Sequence, residues 1–365
     1  MFEIKTPSTL KPPKDDALFK TERTFYGWWI VLAGTAILFV SSGIGFYGHG
    51  VILDPLRALH GWSKATISSA VTLYFFTSGI MGLMIGRNID RYGPKWVLVI
   101  GAVLIGTGFL VLGLIHTVWQ LYATYFLMAL GFGCTSLIPV NTLITNWFIR
   151  RRGFAMSLTN TGLSAGGIVM VPSASYVISQ WGLAVALPAL GAIYCLVVVA
   201  ATSFIKQRPS ELHQFPDGDS PETKPAGKHS AKLSYTTQMR VWSRSQAIRT
   251  VAFWSIVIAF LLALACQIAF LVHQISFLGQ YLGVSGAAAA VSITAGASIF
   301  GRLWLGAIVD RLDKIHVIMV CFLIQGAAVI TLAHFHHVVI LYLGTLAFGL
   351  TMGNITMLQS LITAE

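Results

Sequence analysis

Long apolar runs, separated by short polar stretches, recur along the chain from Tyr26 to its C-terminus. Each run has about the 20 residues with which a helix crosses the ~30 Å hydrocarbon layer of a bilayer. The pattern predicts helices, because a segment in lipid must satisfy its own backbone polar groups and the alternation typical of a membrane barrel is absent. The predicted spans, numbered 1 to 10 in chain order, are Tyr26–Val51, Ala65–Ile85, Trp96–Ile115, Leu121–Phe148, Gly153–Ile178, Leu183–Ile205, Ala252–Leu278, Val284–Val309, Ile315–His334 and Val338–Leu361.

The composition agrees with this pattern. Of the 365 residues, 55% are hydrophobic and 10% charged, and the mean hydropathy of +0.74 is far above that of a soluble domain. We therefore predict an all-α, multi-pass membrane protein whose surroundings are the lipid bilayer. The polar, lysine-containing residues 1–25 are predicted to be a cytoplasmic tail and not a cleavable signal.

The basic residues give the orientation. The N-terminal tail and every second loop together hold 21 of the 24 Lys and Arg residues, and such residues are retained on the cytoplasmic side. The N-terminus is thus predicted to be cytoplasmic, in a cell (inner) membrane. The net charge of +11 then reflects topology, and we predict no nucleic-acid partner.

The chain is organised as two bundles. Residues 206–249 are polar and rich in proline, which is typical of a linker. They separate a six-span bundle, 26–205, from a four-span bundle, 250–365. The loop Gly86–Lys95 after span 2 and the segment Gly306–Lys314 after span 8 both carry G-x-x-x-D-R with a Lys downstream. This predicts an internal repeat of six helices, two of which are missing from the second half.

These two motifs resemble the cytoplasmic loop motif of the major facilitator superfamily, whose members have two six-helix halves. A glycine permits close helix approach, and an Asp beside an Arg can form an ion pair and face the positive N-terminus of a neighbouring helix when the inner gate is shut. The predicted gating residues are Asp90, Arg91, Asp310 and Arg311. The alternative is that these charges merely mark a membrane boundary.

Further stretches narrow the resemblance. They are Tyr26-Gly27-Trp28-Trp29, the segment Gly61–Ser68, the segment Trp147–Ala155 and Ser298-Ile299-Phe300-Gly301-Arg302. Together they resemble the monocarboxylate transporter group and its bacterial relatives, including oxalate/formate antiporters. The resemblance implies a major facilitator fold with a complete N-terminal half and helices 7–10 of the C-terminal half. Because helices eleven and twelve are absent, the expectation is a fragment, a truncated product or a chain that does not transport alone.

Arg302 is the strongest candidate for substrate binding, since it is the only Lys or Arg well inside a predicted span. A charge there costs several kcal/mol and marks a functional position by default. A planar guanidinium binds carboxylates with two parallel hydrogen bonds, and the resemblance implies that this arginine anchors the substrate. The alternative is a structural arginine tied to helix carbonyls or lipid phosphates.

Other polar residues within the spans complete the candidate site. Histidine can donate to a carboxylate and can take up a proton near neutral pH, and the amide and phenol groups can form hydrogen bonds, although packing between helices is their alternative role. The predicted substrate-binding residues are Arg302, His273, His49, Gln274, Tyr47, Tyr125 and Asn141. The sequence has no metal-ligand spacing, and no cofactor is predicted.

The predicted function is secondary active transport of a small organic anion, a monocarboxylate or small dicarboxylate, by alternating access. No enzyme motif is present, so catalysis is not expected. No Asp or Glu lies centrally in a span, and Ser298 stands where the family commonly has an Asp. The coupling partner is therefore left open between a counter-anion and a proton carried by histidine or by the substrate. The alternatives are a truncated, non-transporting membrane protein and a carrier for a neutral solute.

Overall fold

The computed structural model describes residues 25–218, 246 and 248–363, and these are almost entirely helical. A π-helix, Ser41–Phe46, joins the first two helices, and short 3-10 turns follow spans 6 and 8. The α-helices are Gly27–Val40, Gly48–His60, Lys64–Tyr92, Pro94–Leu112, Val118–Cys134, Leu137–Trp147, Arg152–Ser203, Val251–Ile308, Lys314–His334 and Val338–Thr363.

Two of the helices are too long for a single crossing. Arg152–Ser203 has 52 residues and Val251–Ile308 has 58, which at 1.5 Å per residue is more than twice the hydrocarbon thickness. Each is broken at a glycine with positive φ, 72° at Gly182 and 71° at Gly283, a conformation that glycine adopts without steric cost. The breaks separate span 5 from span 6 and span 7 from span 8. Within the described residues the all-helical fold is confirmed. Nine helical segments of this part of the chain are long and apolar enough to cross a membrane, and one of them, Arg152–Ser203, contains the break at Gly182 and supplies both span 5 and span 6.

Two predicted boundaries are wrong. Span 1 was expected to end at Val51, but its helix continues to His60, where Gly61 provides a left-handed C-cap with φ 69°. Span 2 was expected to end before the first motif, but its helix extends to Tyr92 and carries that motif in its last two turns. Asp310, in contrast, lies in the 3-10 turn that follows span 8. The two motif copies therefore differ in backbone conformation.

Span 4 is interrupted, although the sequence predicted a continuous helix. The interruption at Thr135 and Ser136 precedes Pro139, which lacks an N–H and opposes helical continuation. It faces the π-helix of span 1, where Ser41 Oγ donates to the Thr135 carbonyl at 2.9 Å. The hydroxyl of Tyr194 on span 6 lies 3.0 Å from Ser41 Oγ and 2.5 Å from Thr135 Oγ1. These buried contacts hold two irregular segments against each other.

Spans 8 and 10 approach closely at two glycines. A Cβ at Gly349 would lie 2.6 Å from the carbonyl oxygen of Thr294, and one at Gly353 would lie 2.6 Å from the carbonyl oxygen of Ser298. Both positions therefore require glycine for this packing. The prediction of two bundles joined by a linker stays a prediction, because most of the linker lies outside the described residues.

Candidate functional site

The candidate site lies between spans 5, 8 and 10. Arg302 on span 8 is 3% exposed. Its Nε donates to the carbonyl of Gly353 on span 10 at 3.0 Å. Its Nη1 donates to the carbonyl of Asn160 and, at 3.3 Å, to Ser164 Oγ, both on span 5. The guanidinium thus joins the first bundle to the second.

The contacts of Arg302 leave its charge without a counter-ion. In the part of the chain that the structure describes, its hydrogen-bond acceptors are two carbonyls and a hydroxyl, and none of its contacts is a carboxylate. Among the described residues, Tyr47 on span 1 interacts electrostatically with the guanidinium. Tyr47 itself is 41% exposed, and its ring packs on Gly167.

Buried polar atoms without partners cluster at the same place. The side-chain amide of Asn160, the hydroxyl of Ser298 and the carbonyl oxygen of the Asn354 side chain are buried and make no hydrogen bond within the described residues. Asn160 also binds Arg302 through its backbone carbonyl, and Ser298 lies one turn before Arg302 on span 8. Asn354 follows Gly353 on span 10. Because buried polar atoms are normally paired, these atoms are candidates for hydrogen bonds to water or to a substrate.

His49 and Tyr125 lie together, but in the interior of the first bundle. The His49 side chain is 3% exposed, and its ring centroid is 4.3 Å from that of Tyr74 and 5.3 Å from that of Tyr125. The Tyr74 hydroxyl donates to the Gly45 carbonyl at 2.7 Å, whereas the Tyr125 hydroxyl is buried without a partner in the described region. Neither residue takes part in the recorded contacts of Arg302.

The structure does not bring His273 to Arg302. His273 is exposed on span 7, and none of the guanidinium contacts involves it. Its neighbour Gln274 is buried and donates to Thr294 Oγ1 on span 8 at 2.7 Å. Gln274 thus makes a contact between helices of the second bundle.

Asn141 bridges the two bundles, in a groove between spans 4 and 10. Its Nδ2 donates to Ser360 Oγ at 2.7 Å, while its Oδ1 has no partner among the described residues. The groove has a volume of about 380 Å³ and is lined further by threonines of both spans.

We use the name basic face for the side of the bundle that carries Lys95, Arg150–Arg152 and Lys314. On this face, the carboxylate of Asp310 accepts from the backbone N–H groups of Gly153 at 2.7 Å and Phe154 at 3.2 Å. These amides belong to the first turn of span 5, where the helix dipole favours a negative charge. The contact joins span 5 of the first bundle to the turn after span 8 on the basic face.

Among the described residues, the other three predicted gating residues make no such contact. Asp90, Arg91 and Arg311 are exposed, and Arg91 lies over the ring of Tyr92, 5.1 Å from its centroid. The gating role of these three residues, and that of Asp310, stays a prediction.

Several contacts between the bundles have no individual sequence signal. Ser157 Oγ on span 5 donates to the Arg302 carbonyl at 2.7 Å, and Asn160 and Gly353 bind the guanidinium through their carbonyls. Every residue carries a backbone acceptor, so only the arrangement of the helices determines which carbonyls form these contacts. The small-residue pair Gly349/Gly353 was the available signal that span 10 packs closely.

Comparisons with known proteins agree with this architecture. The family model described as Major Facilitator Superfamily matches residues 35–365, so the chain belongs to the major facilitator superfamily. The chain is 23% identical to the oxalate:formate antiporter of Oxalobacter formigenes over 88% of its own length and 71% of that protein. It is 32% identical to MFS-type transporter 1 of an Ophiocordyceps species, but over 40% of this chain and only 32% of that protein. The chain thus spans about a third of that relative's length.

Solved structures show the same fold. The fucose transporter FucP, in the outward conformation, matches with a TM-score of 0.60 and 15% identity, over 92% of this chain and 89% of that one. A bacterial homologue of the lysosomal transporter Spinster, in an inward-facing conformation, matches with a TM-score of 0.52 and 14% identity, over 92% and 75% of the two chains. These proteins are transporters and not enzymes.

Proposed function

We propose that this chain is a secondary transporter of small organic anions, mono- or small dicarboxylates, and that Arg302 binds the carboxylate of the substrate. The observation that carries this proposal is the buried guanidinium between the bundles, whose described contacts include no carboxylate. A buried, unpaired charge is costly, and an anionic substrate supplies the missing counter-charge.

The geometry of the guanidinium fits this role. Arginine has five N–H donors in a planar fork, and the recorded hydrogen bonds of Arg302 use Nε and Nη1. Nη2 has no acceptor among the described residues and lies 3.0 Å from the position that a Cβ on Gly353 would take. A carboxylate that binds here takes hydrogen bonds from Nη2, and the phenol of Tyr47, which interacts electrostatically with Arg302, lies nearby.

The oxalate:formate antiporter supports the anionic class, because by its name it exchanges two carboxylates and its match covers most of this chain. The contacts on the basic face support alternating access. We propose that Asp310, by binding the N-terminus of span 5, stabilises the state in which the predicted cytoplasmic side is closed.

Uptake by the purified chain in liposomes tests the proposal. The substrates are labelled oxalate, formate, lactate and pyruvate, with fucose as an uncharged comparison. Arg302→Gln removes the charge, and Arg57→Gln, at an exposed arginine near the end of span 1, is the matched control. We expect saturable anion uptake that falls roughly 100-fold in Arg302→Gln, as expected for two hydrogen bonds to a charged group, and stays unchanged in Arg57→Gln.

Other outcomes distinguish the alternatives. Uptake of fucose but not of the anions would indicate a carrier for neutral solutes. No uptake by protein that is folded would support a non-transporting membrane protein. Anion uptake that requires an internal anion indicates exchange, and uptake that follows a pH gradient indicates proton coupling.

A further inference from the structure

The segment after span 6 is attached to the first bundle on the basic face. We call residues 206–218 the strap. Trp147 Nε1 donates to the carbonyl of Lys206 at 2.8 Å, and the backbone N–H of Tyr26 donates to Gln214 Oε1 at 3.1 Å. Gly218 packs on the ring of Phe25. The strap thus belongs structurally to the first bundle, although its composition is typical of a flexible linker.

Asp217 connects the strap to the loop before span 5. Its Oδ2 accepts from the backbone N–H groups of Ile149 at 3.0 Å and Arg150 at 2.7 Å, and its Oδ1 accepts from that of Arg151 at 3.2 Å. One carboxylate therefore fixes three consecutive amides. Such charge-assisted bonds are among the stronger hydrogen bonds in proteins.

The next amides along the chain belong to the gate. Gly153 and Phe154 donate to Asp310 of the second bundle, and only one residue separates them from the amides that Asp217 holds. Asp217 and Asp310 are close enough to repel each other electrostatically. Two carboxylates from different bundles thus bind one continuous stretch of backbone, residues 149–154.

We propose that Asp217 is a positioning residue for the gate, which orients the N-terminus of span 5 so that its amides bind Asp310. The proposal rests on the proposed gating role of Asp310. Loss of Asp217 frees the loop before span 5, so that Asp310 binds the Gly153 and Phe154 amides less often. The protein then shifts towards the state in which the basic face is open. The strap thereby takes part in gating through Asp217.

Spin labels at Trp96 and Ile315 test this proposal. Both residues are exposed on the basic face, one in each bundle, so their distance rises when that face opens. In the purified chain of 365 residues, we expect Asp217→Ala to raise the ratio of long to short distances about tenfold, as for the loss of one hydrogen bond to a charged group. Asp217→Asn keeps an acceptor oxygen and removes the repulsion, so it stays close to the parent. No substrate is needed for this measurement.

Two controls separate positioning from a general structural role. Glu211→Ala disrupts the strap elsewhere, because Glu211 Oε1 accepts from the amides of Gln207 at 3.0 Å and Arg208 at 3.1 Å and does not contact span 5. It should leave the distance distribution unchanged. In an Asp310→Asn background, Asp217→Ala should have little further effect, because both residues act on one contact.

The proposal is overturned if Asp217→Ala leaves the distribution unchanged, if Glu211→Ala has the same effect, or if the effects of Asp217→Ala and Asp310→Asn add fully. If Asp217→Ala does not fold, Asp217→Gly takes its place, because glycine tolerates the positive φ of 61° at this position, and an unchanged distribution in that variant would equally overturn the proposal. A failure of the gate itself is recognised separately, because Asp310→Asn alone would then leave the distances unchanged.

Discussion

Replacing Gly353 by alanine probes the contact between span 10 and Arg302. The added Cβ would lie 2.6 Å from the carbonyl and hydroxyl oxygens of Ser298 and 3.0 Å from Arg302 Nη2. An ordinary contact of about 3.4 Å requires a shift of about 0.8 Å, and overpacking of this kind costs about 1–3 kcal/mol. Since the Ser298 carbonyl is backbone, spans 8 and 10 must separate, and the guanidinium must move with them.

Gly349→Ala is a matched control. Its Cβ would meet the Thr294 carbonyl at 2.6 Å, so it strains the same pair of helices, but Arg302 is not among its neighbours. We expect both variants to lower the thermal unfolding temperature in detergent by similar amounts. Only Gly353→Ala should also weaken anion uptake at matched membrane expression. Equal uptake by the two variants would refute the inference that the position of the guanidinium determines substrate binding.

Three further predictions follow from contacts between helices. Asp310→Asn removes the charge that binds the N-terminus of span 5 and should favour the open basic face by about 1–2 kcal/mol, measured as an increased distance between spin labels on the two bundles; an unchanged distance would contradict it. Tyr194→Phe should destabilise the protein by about 1–3 kcal/mol, because two buried hydroxyls lose a partner, whereas Tyr176→Phe at an exposed position should not; thermal unfolding compares them. Asn141→Ala and Ser360→Ala should be non-additive by about 1 kcal/mol in a double-mutant cycle, since they remove one shared hydrogen bond, and full additivity would show that the bond contributes nothing.

Much of the fold was predictable because the bilayer constrains it. A helix that crosses lipid must be apolar over a set length, so hydropathy alone located the ten predicted spans. The predicted boundaries between spans 5 and 6 and between spans 7 and 8 contain Gly182 and Gly283, where the two long helices break. Helix ends were less predictable, because they depend on caps. The extension of span 1 to His60 and of span 2 to Tyr92 follows from glycines with positive φ, which the apolar pattern does not show.

The interruptions within spans were not predictable from the apolar pattern. Pro139 was a local signal for the break in span 4, but the π-helix at Ser41–Phe46 depends on tertiary contacts with Thr135 and Tyr194. Such contacts join residues far apart in the chain. Their hydroxyls have no distinctive spacing.

The candidate site was predictable in part. Arg302 was identifiable because a lone cation inside an apolar span is unusual, whereas its partners are backbone carbonyls, which every residue carries. His273 lies on a helix that is apolar on most sides, so its sequence position does not reveal which side faces the other bundle. Asp217 had a turn signal in Pro216-Asp217-Gly218, but its partners lie more than sixty residues earlier.

The most direct measurement of the central claim is binding of labelled oxalate and formate to the purified protein, compared among the parent, Arg302→Lys and Arg57→Lys. Lysine keeps the charge but lacks the planar fork, and it can still donate to the helix carbonyls that Arg302 contacts. If Arg302 binds the substrate carboxylate, Arg302→Lys should stay folded but lose at least about tenfold in affinity, as for one charge-assisted hydrogen bond, while Arg57→Lys binds like the parent. Unchanged affinity in Arg302→Lys would contradict the claim and identify Arg302 as a structural arginine that ties span 8 to spans 5 and 10.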